Sequence, residues 1–221
     1  MNYLLENKLS EFVSLTTKGR DDSHGHQHME IVANNAKLIM SNMTISPDQY
    51  RWSLIVSWLH DVADHKYDKD GKLKHLVENF LHEIETDSES VANIIKCIDM
   101  VSFSKEEKNG YKYYENELPT NWIIVRNIAS DSDKLEAIGE IGIIRCQQYA
   151  QEKSESKLSK DESLMYVWQH AQDKLLHLSK LYIHTKMGKE LSKPRHTFMF
   201  NWLKEQGIDS NTLSFYELKD V

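Results

Sequence analysis

Five ionisable side chains fall within seven residues at the end of an apolar run. They are His60, Asp61, Asp64, His65 and Lys66, in the stretch SWLHDVADHK (57–66). Holding so many such groups beside a hydrophobic core costs free energy unless something pairs with them. A metal ion would pair with some. Earlier, DDSHGHQHME places His24, His26 and His28 close together, and SDSDKLEAIGEIG (130–142) carries Asp131 and Asp133. One His at the opening of one helix, a His-Asp pair at the close of a second and one Asp at the start of a third could surround a single cation. Imidazole with hard oxygen ligands suits Mn²⁺, Mg²⁺, Fe²⁺, Ni²⁺ or Zn²⁺, and no thiolate is placed to favour zinc. Each residue alone has an ordinary alternative. A helix-end His can cap carbonyls, and Asp131 can cap the helix that follows it. The combination and its order carry the metal reading.

Rigid elements must present those groups. Three prolines and eight glycines in 221 residues favour long helices. Apolar residues at three- and four-residue spacing predict helices over about 2–17, 28–43 and 47–60, from near Lys72, Ser88 and Ser130, and over about 161–186 and 193–206. Ser46-Pro47-Asp48 is a helix-start signal. NWIIVRNIA (121–129) is β-branched, but its neighbours are helical, so it reads as a buried helix start or a short extended lead-in. KEEKNGYKYYENELPT (105–120) reads as a loop and 151–163 as a charged connector. The expectation is a single all-α domain spanning 1–221, with the motif-bearing core at about 20–150 and C-terminal helices packed on it.

Composition bounds the partners. The hydrophobic fraction of 40% is that of a globular chain, and the net charge of −7 without a basic stripe argues against duplex nucleic acid. Cys97 and Cys146 are too few and too far apart for a disulfide framework, which fits a cytoplasmic setting. The N-terminal stretch lacks the apolar core of a signal peptide, and no run has the length a membrane span requires.

The residues resemble the HD-domain metal-dependent phosphohydrolase superfamily, whose pattern is H…HD…D. SHGHQHMEIV is similar to its G-H-D-x-x-H-x-x-R-V block, WLHDVADHKY to L-L-H-D-I-A-D-x-K, and SDSDKLEAIGEIGIIR to D-A-D-R-L-D-A-I-G-A-I-G-I-A-R. The similarity spans about 20–200 and is most specific to small bacterial-type members resembling nucleotide pyrophosphohydrolases. It implies metal ligands His28, His60, Asp61 and Asp133, with Asp131 as the substitute, and a divalent ion, Mn²⁺ or Mg²⁺ first. Two departures stand out. His26 occupies the usual Asp position, and Glu30-Ile31 replaces x-Arg, which removes one candidate phosphate contact.

The resemblance implies cleavage of a phosphoanhydride or phosphoester of a nucleotide or related phosphorylated metabolite, with nucleoside triphosphate pyrophosphohydrolysis preferred. A non-catalytic module that binds a phosphorylated ligand is the alternative, and a homodimer is a candidate assembly. Asp61 would stay nearest the attacking water. Asp64, one turn beyond His60, would orient that water or act as general base. His24 would contact phosphate or leaving group, and Lys66, Ser104, Lys105 and Arg145 are substrate-binding candidates. Gly139 and Gly142 are expected to permit close helix approach. His170, His177 and His184 are expected to form a polar helix face, because seven-residue spacing is too long for one ion.

Overall fold

The computed structural model describes residues 2–21, 24–85, 87–154 and 157–218. Among them the ordered elements are all helical, as expected. The chain divides after Asp133 into two compact units.

In the first unit, α1 (Asn2–Thr16), α2 (His26–Met40), α3 (Pro47–Leu59), α4 (Lys72–Ile84), α5 (Ser88–Asp99) and α6 (Phe103–Asn109) precede a 3₁₀ turn at Tyr113–Asn116 and then α7 (Thr120–Ala137), which runs across the boundary. Helix α3 is central and packs against α1, α2 and α5. Its start is fixed by a capping box: Ser46 accepts from the Gln49 N–H at 3.1 Å, and the Gln49 side chain accepts from the Ser46 N–H at 3.0 Å. From Ser53 to Leu59 every side chain is buried, the pattern of a helix enclosed on all sides. Leu9, Val13, Met29, Ala33, Ile55, Leu59, Ile94 and Val125 belong to one core around it.

Two sequence expectations give way here. Helix α7 begins at Thr120 rather than near Ser130, because Trp122, Val125, Ile128 and Ala129 are buried, and packing overrides their modest helix propensity. Asp131 and Asp133 therefore lie in its last turns and cap no helix start. The supposed loop at 105–120 contains most of α6 and the 3₁₀ turn. Its Glu106 is fully buried and takes the Arg126 guanidinium at 2.8 Å.

The second unit holds α8 (Glu140–Lys153), α9 (Lys160–His170), two π-helical turns at Ala171–Leu175 and Leu178–Tyr182, α10 (Lys186–Glu205) and α11 (Ser210–Ser214). Helix α8 packs against α9 and α10. A second capping box, Ser159 with Glu162, starts α9. The long helix expected over 161–186 is thus one helical run interrupted in hydrogen-bond register, and the last helix begins earlier than expected. Both thiols are free and buried. Burial pushes Cys97 up to about 12 and Cys146 up to about 11.

Gly139 sits at φ +89°, in the left-handed region that favours glycine, and precedes α8. A Cβ on Gly142 would lie 2.4 Å from the Ala137 carbonyl oxygen, so the chain itself blocks any side chain there. Gly142→Ala is expected to destabilise by about 1–3 kcal/mol, the cost of overpacking. That lowers the thermal midpoint by about 2–12 °C at this chain length. Far-UV circular dichroism melting checks it.

Candidate metal centre

His28 stands in the first turn of α2, His60 immediately follows α3, and Asp133 lies near the end of α7. Their ligand atoms converge within 4.8 Å of one another. His28 Nε2 is 3.2 Å from His60 Nε2, and both are 3.7 Å from Asp133 Oδ1. A circle through three points with those separations has a radius of about 2 Å, which is the bond length from a divalent transition ion to imidazole or carboxylate. The donor set therefore fits such an ion in size as well as chemistry.

Neighbouring bonds aim the candidate ligands. His60 Nδ1 donates to the Ser57 carbonyl at 2.9 Å, which turns Nε2 towards the other two groups. The Asn35 side chain, 5% exposed, donates at 3.0 Å to the Ser132 carbonyl and so ties α2 to α7 beside Asp133. Sequence reasoning missed Asn35. Its signal was a polar residue seven positions after His28, on the same helix face.

Positions 131 and 133 are two residues apart on one helix and point to different faces. Asp133 joins the triangle. Asp131 is fully buried and is not in the converging set. Asp61 also falls outside that set, although its charge acts on His60. Burial lowers the His60 pKa. The nearby Asp133 carboxylate, the Asp61 charge and the Ser57 carbonyl outweigh it and raise the value to about 9.

Below that pH the metal-free imidazole holds a proton that a metal must displace. Metal uptake at pH 7 is expected to release about one proton from His60, and affinity should rise with pH until about 9 and then level. Calorimetry in two buffers of different ionisation enthalpy measures the release.

The other sequence candidates lie outside the triangle. His24 Nδ1 is 3.0 Å from Asp21 Oδ1. Asp64 Oδ1 accepts from the Lys66 backbone N–H at 2.8 Å, and its Oδ2 is 3.5 Å from His65 Nδ1. The side chains of Lys66, Ser104 and Lys105 are exposed; Ser104 bonds Ser102 at 2.9 Å, and Lys105 is 3.7 Å from Asp99. In the second unit Arg145 forks onto Glu136 at 2.8 and 2.5 Å, an ion pair for its guanidinium.

No family model matches the chain. YpgQ of Bacillus subtilis is 36% identical over 87 residues, which make up 37% of this chain and 40% of YpgQ, so the match spans about two fifths of that relative. Solved structures match over far more. YpgQ in complex with ADP superposes with a TM-score of 0.68 at 23% identity, covering 95% of this chain and 98% of that one. An HD-superfamily hydrolase from Bacillus thuringiensis gives 0.66 at 22%, covering 93% and 96%. A Lactobacillus plantarum protein gives 0.69 at 21%, covering 92% and 95%. The chain has the HD-domain fold.

Proposed function

We propose that this chain is a metal-dependent phosphohydrolase acting on a nucleotide or a related phosphorylated metabolite. The observation that carries the reading is the triangle of His28, His60 and Asp133, of a size that fits a divalent ion, beside the His60-Asp61 pair. His28, His60 and Asp133 would hold a divalent ion there, with the neighbouring Asp61 as the proposed further ligand, and the ion would supply Lewis-acid polarisation of a phosphoryl oxygen and acidify water.

The chain's own groups do the rest. A phosphoanhydride brings several negative charges to a protein of net charge −7, so local cations must receive it. Lys66 and Lys105 are the candidates, with Ser104 donating a hydroxyl to a terminal oxygen. His24, whose Nδ1 faces Asp21, keeps Nε2 for a phosphate or leaving-group contact. Asp64 orients the attacking water or takes its proton. In that role its carboxylate must use the oxygen that is not bonded to the Lys66 N–H.

That YpgQ was crystallised with ADP supports a nucleotide as the substrate class, and release of pyrophosphate from a nucleoside triphosphate is the preferred reaction. A cytoplasmic setting belongs to the same reading and fits the two free thiols. Among the described residues no helix is long and apolar enough to cross a membrane.

Metal-stripped protein, reloaded separately with Mn²⁺, Mg²⁺, Ni²⁺ or Zn²⁺, is assayed on a nucleotide panel for phosphate and pyrophosphate. Turnover with at least one metal is expected. Silence across the panel with metal bound favours the binding-module reading instead.

A further inference from the structure

Arg20, Asp21 and His24, which lie between α1 and α2, are held against the stretch after α3 by a connected set of contacts. Arg20 Nη1 donates to the Asp61 carbonyl at 3.0 Å, and Nη2 donates to the Val62 carbonyl at 2.6 Å. The same guanidinium lies 4.1 Å from the centre of the Tyr67 ring. The Tyr67 hydroxyl donates to Asp21 Oδ2 at 2.9 Å, and Asp21 Oδ1 meets His24 Nδ1 at 3.0 Å. The His24 and Tyr67 rings are 5.7 Å apart. Residues 20, 21 and 24 are thus linked to residues 61, 62 and 67.

The backbone explains why a fork is needed there. The last carbonyls of a helix lack intrahelical donors and carry partial negative charge. After Leu59 the chain turns on Val62 N–H to the Leu59 carbonyl at 3.1 Å and Asp64 N–H to the Asp61 carbonyl at 3.3 Å. The Arg20 fork adds two bonds to the stretch that projects both His60 and Asp61. The planar guanidinium spans two successive carbonyls, which one ammonium cannot do with the same geometry.

Resting on the metal reading above, we propose that Arg20 is the positioning residue of the metal centre. By gripping the Asp61 and Val62 carbonyls it fixes the backbone that aims the His60 imidazole and the Asp61 carboxylate. Through Tyr67 and Asp21 the same grip holds His24 on this side of the fold. Arg20 acts through the residues it positions, with its own bonds made to the Asp61 and Val62 carbonyls.

The test measures Mn²⁺ affinity of the full chain by the electron paramagnetic resonance signal of free Mn²⁺, alongside the melting temperature of the metal-free protein. Arg20→Met keeps the apolar stem and removes the fork. Its Mn²⁺ dissociation constant is expected to rise about 10- to 100-fold, the range for groups that orient metal ligands. Its metal-free melting temperature should fall by about 4 °C or less, the scale of one local interaction at this chain length. Arg20→Lys retains the charge but replaces the planar fork with a single ammonium, and should recover part of the affinity. It also serves should the Met variant fold poorly.

A purely structural Arg20 gives the reverse pattern, with a lowered melting temperature and unchanged affinity, and overturns the inference. Wild-type affinity in Arg20→Lys overturns it too, since the fork is then unnecessary. Wild-type protein that binds no Mn²⁺ sinks the metal reading itself, which separates the two failures.

Discussion

His60→Ala is expected to abolish divalent-metal binding at the candidate centre and to lower the proposed phosphohydrolase turnover by about 1000-fold or more. Lewis-acid stabilisation by a bound metal is worth several kcal/mol of transition-state energy, and each 1.36 kcal/mol is a factor of ten. His60 is the most telling of the three converging residues because, besides lying 3.2 Å from His28 Nε2 and 3.7 Å from Asp133 Oδ1, it adjoins Asp61, whose charge acts on it. Its removal leaves two donors of three and deletes the ring that the Ser57 carbonyl aims. His28→Ala and Asp133→Asn should follow in the same direction. Asp131→Asn is the informative control. That carboxylate is buried on another face of α7, so its loss should change stability and leave metal affinity alone. Metal content, steady-state kinetics and circular dichroism on the four variants decide the matter. A metal-replete His60→Ala protein with wild-type turnover would remove the centre from the chemistry.

How much of this was legible in the sequence differs by residue. His28, His60 and the aspartates stood out because ionisable groups at the ends of apolar helical runs are costly, and their order was distinctive. Ser46 announced its helix through local capping chemistry that needs only four residues, whereas the same chemistry at Ser159 was hidden in what read as a charged connector. The choice between Asp131 and Asp133 was a question of helix phase. Phase depended on α7 starting at Thr120, which buried apolar packing settled and local propensity did not. Glu106 looked like one more charge in a solvated run, because its partner Arg126 is twenty residues away and no periodicity links them. Arg20 was invisible for a related reason. It binds main-chain carbonyls forty-one and forty-two residues further on, and any residue type presents a carbonyl. Partners that are distant in the chain or made of backbone leave no pattern to read.

Arg126→Met is expected to destabilise the first unit by about 3–5 kcal/mol, the cost of breaking a buried ion pair from one side. Arg126 and Glu106 are both fully buried and meet at 2.8 Å. Arg126 also donates from Nε to the Met100 carbonyl at 2.8 Å and lies 3.7 Å over the Tyr114 ring. Removing the guanidinium leaves the Glu106 carboxylate in a low-dielectric interior without the cation that offsets its desolvation. The thermal midpoint should fall by about 6–20 °C at this chain length. Combining Arg126→Met with Glu106→Leu removes both charges, and apolar replacement of a buried pair is often neutral or stabilising. The double variant should therefore regain more than half of the loss, the remainder reflecting the Met100 carbonyl that has lost its donor. A double-mutant cycle in urea measures the coupling. The consequence reaches the proposed site. Arg126 and Ser130, which donates to the Val101 carbonyl at 2.9 Å, fasten the 100–106 stretch to the helix that carries Asp133. Loosening that stretch frees Ser104 and Lys105, so Arg126→Met should raise KM more than it lowers kcat while metal affinity changes little. Strictly additive single effects would show that the two buried charges do not sustain each other, and that α6 is held in place by its apolar contacts.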